Sequence, residues 1–352
     1  MTKFWDNASG SFKLDPGALL DFLRGNGFGL LNHPSVKGTV MVKIDGQIVR
    51  VVSPTDIRKF CWDYATSKFE FNDPEEEKQV KSLLFRERAT FNKDNMQLLS
   101  DLEINEIEDT KDVSYLFFKN CSLIITADKI EKVPHDKLNG HFFSTDIIDF
   151  DLQSEVFKKR DGMFRNFLLD ISSHENQDLA KHNYESLASI IGYLLHRYKD
   201  PSNPRSVILM DPYRGDGANG GSGKSLITEA CGKIRQKAKE DGKKFQVNSR
   251  FALSTVNYGT RILVIDDVPE RFDFTKLFPL ISEGAVVEKK YQDKYVIEYA
   301  KSPKIVITTN YTVEGDDESS NRRKVEFILS DVYNSKNAPI DKYGVLFFDG
   351  WL

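Results

Sequence analysis

Cysteine is scarce: Cys61, Cys121 and Cys231 are the three in 352 residues, far apart and with no CxxC pair. That excludes a cysteine-built zinc ribbon or a disulfide scaffold and fits a reducing compartment. The six histidines show no metal-ligand spacing, and no Ser-His-Asp or Cys-His arrangement is legible. No apolar run approaches the roughly 20 residues that cross a bilayer as a helix, and the N-terminus carries no secretory leader pattern. A cytoplasmic protein of a bacterial or host cell, with no membrane partner, is therefore expected. Charge of one sign is missing too. Lysine and arginine total 49 against 53 acids, a net charge of −4, so no bulk basic field draws the chain to nucleic acid. This argues against a passive DNA coat. Internal repeats and low-complexity segments are absent. What is present is 40% hydrophobic residues, ample for packed cores over two or three domains.

The most informative segment is Asn219-Gly220-Gly221-Ser222-Gly223-Lys224-Ser225. It follows the apolar run Val207–Met210 and precedes a helix start at Leu226. A glycine-rich loop between strand and helix turns successive backbone N–H groups toward one point, and the helix dipole favours an anion there. Gly220, Gly221, Ser222, Gly223, Lys224 and Ser225 thus read as a nucleoside triphosphate cradle. Lys224 reaches the terminal phosphates and Ser225 holds Mg²⁺. The usual first glycine of this pattern falls at Ala218, so the loop is a variant.

Arg261-Ile262-Leu263-Val264-Ile265-Asp266-Asp267 is an apolar strand ending in two acids, as in a buried parallel sheet. Asp266 takes the metal and Asp267 the attacking water, although the two roles are interchangeable on sequence grounds. A third apolar run, Lys304–Thr309, ends at Asn310. An asparagine at the tip of a strand lying between the other two can bond the water or the γ-phosphate. Arg322 and Arg323 follow; one of them, with Arg323 preferred, supplies a cationic fork to the phosphoryl oxygens from a neighbouring subunit. A solvated basic turn is the plainer reading of that pair.

With these parts in this order, the chain resembles the superfamily 3 helicases, in particular the phage and plasmid primase–helicase type. The resemblance covers about residues 160–350. It implies an α/β fold: an AAA+ P-loop ATPase core with a parallel sheet over 204–352, preceded by a helical collar (153–203) and an α+β N-terminal domain (1–152). It also implies ATP with Mg²⁺, a hexameric homo-oligomeric ring, and single-stranded or forked DNA as partner. The segment Phe274–Tyr299 fits the family's extra element, a hairpin whose lysines contact the DNA backbone in the channel; here these are Lys289, Lys290 and Lys294. Lysine suits that task as a flexible point charge that does not read bases. An exposed hairpin with solubilising lysines would look the same, and Glu288 and Asp293 dilute the charge.

The expected activity is ATP-dependent DNA helicase or translocase action in replication of a phage, plasmid or other mobile element. The alternative is a non-unwinding AAA+ ATPase that loads, packages or remodels DNA or a protein. A small-molecule phosphotransferase fits less well, because it leaves Asn310 and the hairpin unexplained.

The N-terminal part reads as a helix Pro16–Arg24, a hairpin Val40–Ile44 and Ile48–Val52 with a type I′ signal at Asp45-Gly46, and helices opening at Ser53-Pro54 and Asp73-Pro74. Asp146, Asp149 and Asp151 with His135 and His141 are the candidates for a primase metal site, which lacks a matching second cluster of acids. Tyr184–Tyr198 is amphipathic, either collar or simple packing helix. The chain end, Gly344–Leu352, is apolar enough to imply a protein that continues.

Overall fold

The computed structural model describes residues 2–7, 11–32, 39–153, 162–212, 221–290, 294–313, 317–334 and 336–347. Contacts divide the chain into two units, Met1–Ile107 with Leu138–Ser144, and Glu108–Lys137 with Thr145–Leu352.

In the first unit, β1 (Trp5–Asp6) pairs with β2 (Lys13–Leu14). Proline, whose φ is preset and which has no N–H to lose, opens each of the three long helices at the first turn. These are α1 (Pro16–Gly25), α2 (Pro54–Ser67) and α3 (Pro74–Arg86). Asp15 caps α1 by accepting from the Ala18 N–H at 3.0 Å, and Ser53 with Asp56 forms a reciprocal capping box on α2. A short α4 (Lys93–Met96) follows. The strands β3 (Phe28–Asn32), β4 (Thr39–Asp45) and β5 (Ile48–Val51) are antiparallel, and a later strand, β9 (Phe142–Phe143), adds parallel to β5. Asp45 pairs with Ile48, so Gly46 and Gln47 are the two turn residues. Only Gly46 has positive φ, 56°. That is the glycine-first pattern of a type II′ turn rather than the expected type I′. Phe4, Trp5, Phe22, Phe28, Phe60 and Tyr64 build an aromatic core.

The second unit begins with β6 (Ser114–Phe118), β7 (Ser122–Ile125) and β8 (Ile130–Val133), joined by β10 (Ile147–Ile148) in the order β10-β6-β7-β8. Two helices, α5 (Met163–Ile171) and α6 (Gln177–Leu195), lead into β11 (Ser206–Met210), α7 (Lys224–Ile234), β12 (Lys237–Asp241) and β13 (Ile262–Val268). Then come α8 (Phe278–Ser282), the antiparallel hairpin β14 (Gly284–Val287) and β15 (Tyr295–Glu298), β16 (Lys304–Thr309), α9 (Glu318–Asn321), β17 (Lys324–Ile328) and α10 (Pro339–Tyr343).

Five of these strands form a wholly parallel sheet in the order β12-β13-β16-β11-β17. Its apolar runs are continuous because both faces are covered. Ile208, Leu263, Ile265, Ile305 and Ile307 face Phe274, Leu277 and the hairpin residues Val287 and Ile297. Alternating with them, Val207, Leu209, Ile262, Val264 and Val306 face Phe167, Leu187, Ile190, Leu194 and Ile227 of α5, α6 and α7. Each such side chain contributes about 1.5–3 kcal/mol on burial. The sheet is therefore the rigid frame on which its loops are held.

The expected division at 152/153 falls inside this second unit. Residues 108–137 and 145–152 join the parallel sheet's unit through buried ions that are far apart in sequence. Asp109 accepts from the Ser114 hydroxyl at 2.6 Å and the Tyr115 and Arg197 N–H groups at 3.0 and 2.8 Å. Arg197 Nε lies 3.2 Å and Arg235 Nη2 3.5 Å from the same carboxylate. Burial works to raise the Asp109 carboxyl, but the Arg197 and Arg235 guanidiniums more than offset it and hold it below the usual range. Arg235, at the end of α7, also donates to the carbonyls of Leu195 and Tyr115 at 2.7 and 2.8 Å. Helices α5 and α6 pack against the sheet.

The primase candidates do not converge. Asp146 is held by Arg197 and Arg261 at 3.2 and 3.5 Å, Asp149 is exposed beside Lys119, and His141 belongs to the first unit. Among the described residues no three His, Cys, Asp or Glu side chains are grouped to hold a metal, and no helix is long and apolar enough to cross a membrane.

Candidate functional site at the carboxyl ends of the parallel strands

Crevices in parallel α/β sheets open where the strands end, and the polar residues of this sheet gather there. Gly220 and the rest of 213–220 lie outside the described residues. Beyond them, Gly221 and Gly223 have φ of 103° and 107°, a region that L side chains avoid. Gly223 caps α7, and a Cβ there would stand 2.6 Å from Phe167 Cζ, so both backbone and space demand glycine. Lys224 and Ser225 open α7, with Ser225 exposed. Lys224 Nζ lies 2.9 Å from Asn310 Oδ1, just past the end of β16.

As expected, β16 lies between β11 and β13, which places Asn310 between the loop and the acids. The register of β13 against β16 slips by one residue between Ile265 and Val268. Asp267 occupies this bulge with φ 57°, the one non-glycine residue with positive φ among the described residues. A bulge re-aims side chains next to a site. Asp267 Oδ1 comes to 3.5 Å from Asn310 Nδ2, and its N–H donates to the Thr308 hydroxyl at 2.9 Å. That hydroxyl donates in turn to Asp266 Oδ1 at 2.6 Å. Lys224, Asp266, Asp267 and Asn310 are thus brought together. Burial works to raise Asp266, but the Lys239 and Thr308 hydrogen bonds outweigh it and keep the carboxyl below its ordinary value.

Four residues here escaped the sequence reading. Lys239 Nζ is 2.6 Å from Asp266 Oδ2, and Lys243 Nζ is 2.5 Å from Asp267 Oδ2. Thr308 bridges the two acids. Asp211, directly after β11, lies 2.5 Å from Lys224 Nζ and accepts from the Ser222 hydroxyl. The alternating lysines of Lys237-Ala238-Lys239 and the turn Gly242-Lys243 were the available signal for two of these. Nothing local flags Asp211.

The arginines separate. Arg323 donates to Ser282 Oγ and to the Ser319 carbonyl at 3.0 Å each, and its guanidinium lies 4.5 Å from the Phe278 ring centre. Arg322 is exposed. The preference for Arg323 as a reaching residue therefore finds no support in its geometry. On the hairpin, Lys289 is half-buried, Lys290 and Lys294 are exposed, and the tip 291–293 lies outside the described residues. Glu288 is paired with Arg250. No contact joins these lysines to the phosphate loop among the described residues.

The donor set suits Mg²⁺: a hydroxyl, a carboxylate and phosphate oxygens with waters, rather than an all-protein cage. A glycine at 223 that leaves no room for a side chain, and a lysine between two acceptor oxygens, suit a polyphosphate.

Residues 216–323 match the model of a family described only as a family of unknown function, DUF5906. That segment spans the loop from Asp216, both acids, Asn310 and both arginines. No curated protein matches the chain. Among solved structures, the apo A form of the NrS-1 C-terminal region aligns with 95% of this chain and 64% of its own length, at 12% identity and TM-score 0.45. A second structure of that region aligns over 90% and 62%, at 12% identity and TM-score 0.44. JCV helicase, crystallised with a thiazolopyridine compound, aligns over 50% and 49%, at 13% identity and TM-score 0.29. The chain thus spans less than two thirds of each of these proteins.

Proposed function

We propose that this chain is an ATP-dependent DNA helicase or translocase with an AAA+ core, acting in replication of a phage, plasmid or other mobile element. The observation that carries the reading is the bridging position of Asn310. Its Oδ1 meets Lys224 at 2.9 Å while its amide nitrogen faces Asp267 at 3.5 Å. One side chain thereby links the cation for the terminal phosphates to the acid for the attacking water.

In this reading Gly220, Gly221, Ser222, Gly223 and Lys224 bind the phosphates by backbone N–H groups and one ammonium. Ser225 and Asp266 would hold Mg²⁺, which supplies charge neutralisation at the phosphates when bound. The Thr308 hydroxyl orients Asp266 for that task. Asp267 and Asn310 orient the water, and the Asp267 carboxylate accepts its proton as it attacks. Arg322, exposed and with no side-chain partner among the described residues, is the better placed of the two arginines to enter a neighbouring subunit's site and stabilise developing charge. Lys289, Lys290 and Lys294 contact the backbone of single-stranded DNA in the channel of a ring.

The test is ATP hydrolysis with and without single-stranded DNA, for the parent and for Lys289→Ala/Lys290→Ala. DNA stimulation in the parent that disappears in the double variant, with basal hydrolysis intact, supports the translocase. Robust hydrolysis indifferent to DNA in both sinks the hairpin assignment and favours a remodelling ATPase.

A further inference from the structure

Asp211 has no role in that scheme, yet it is tied to the scheme's central cation. Its side chain is 2% exposed, with Oδ1 2.5 Å from Lys224 Nζ. The same oxygen accepts from the Ser222 hydroxyl. Its Oδ2 is buried and has no hydrogen-bond partner among the described residues. A carboxylate this far from water needs a compensating charge, and among the described residues Lys224 is the one in contact with it. Asn310 Oδ1 takes a second donor direction of the same ammonium at 2.9 Å. Phosphate oxygens and the Asp211 carboxylate are anionic acceptors of one kind, so both seek the same N–H donors.

We propose that Asp211 is an internal ligand of Lys224 that competes with the incoming phosphates and so sets the class of ligand the site accepts. A polyphosphate, presenting several anionic oxygens to the loop at once, draws Lys224 away. A nucleoside monophosphate does not bring enough charge to do so. The Ser222 hydroxyl stays with Asp211 when the lysine leaves, which keeps the loop beside Gly223 in place in both states. This inference rests on the nucleotide-site reading above.

Equilibrium titration with fluorescent ATP, ADP and AMP analogues in Mg²⁺ tests it, on the parent, Asp211→Asn, Lys224→Ala and the double variant. Apparent affinity is lowered by the fraction of sites whose lysine is already held, so Asp211→Asn is expected to bind ATP about tenfold more tightly than the parent. The gap between ATP and AMP should narrow, and the gain should vanish in the Lys224→Ala background. Asp211→Ser gives the same reading if the Asn variant does not fold, as thermal unfolding will report. If the parent binds ATP, Lys224→Ala does not, and Asp211→Asn binds no tighter than the parent, Asp211 is not a competitor and only this inference falls. Binding by Lys224→Ala equal to the parent's, or no binding by the parent, removes the nucleotide site itself.

Discussion

The two edges of the parallel sheet use the same residue types to opposite ends. At the edge where the strands begin, ions are sealed in. Asp109, Arg197 and Arg235 have side chains no more than 8% exposed, and Lys304 donates to the carbonyl oxygens of Tyr193 and His196 at the end of α6. At the edge where the strands finish, Asp267 sits in a bulge with φ 57°, Asp211 keeps an oxygen with no partner among the described residues, and Lys239 and Lys243 are about half exposed or more. Three acids there each hold a lysine, Asp211–Lys224, Asp266–Lys239 and Asp267–Lys243, so these described pairs are matched in charge, and under the proposed function they would exchange for phosphate and metal. A buried, multiply bonded ion holds a fold together. A strained or half-exposed one is poised to change partners.

That contrast predicts separable losses. Asp109→Asn, isosteric and far in role from the phosphates, should lose about 3–5 kcal/mol in denaturant unfolding, because it takes the contacting carboxylate from buried Arg235 and leaves Arg197 its pairing with Asp146. ATP turnover per folded molecule should stay near the parent's. A variant as stable as the parent would mean that the beginning edge is not the anchor described. Gly223→Ala reverses the pattern. It strains a left-handed backbone and drives a methyl into Phe167, so nucleotide affinity should fall by about 2 kcal/mol or more, some thirtyfold, while unfolding moves less. Retained affinity in that variant would show that the loop is not the cradle.

The smallest effect is one of pH. Burial pushes Lys304 down to about 7, with the Lys199 charge beside it adding to the shift and Arg235 reinforcing it against Asp109. Burial likewise pushes Lys199 down to about 7. The unfolded chain holds these protons to higher pH, so between about 7 and 10 it binds more protons than the folded chain and stability rises with pH. From pH 6.5 to 8.5 Lys304 should add about 2 kcal/mol, and Lys304→Met should flatten that slope. An unchanged slope would mean the ammonium is less buried than drawn.

The sequence made legible whatever is encoded within a few residues: the helices opened by Asp-Pro and Ser-Pro, the glycine-rich turn into α7, and the apolar strands ending in Asp266-Asp267 and Asn310. It did not show Asp211, Lys239, Lys243 or Thr308, since each matters only through a partner on another element. Thr308, for example, acts through Asp266, 42 positions away. The placement of residues 108–152 was hidden for the same reason. Asp109 belongs with Arg197 and Arg235, 88 residues or more along the chain, and no composition shift marks that bond. Likewise, only the folded chain shows Arg323 turned onto Phe278 and Ser282 while Arg322 faces solvent.

Steady-state ATP hydrolysis by Asn310→Ala, with nucleotide affinity measured alongside, tests the hydrolytic site most directly. Asn310 touches both Lys224 and Asp267 through its side chain. The account predicts affinity within a few-fold of the parent and turnover lower by about a hundredfold or more, the scale set by losing one positioned polar group at a reaction centre. Turnover equal to the parent's would contradict it, and would leave the meeting of these three side chains without a catalytic meaning.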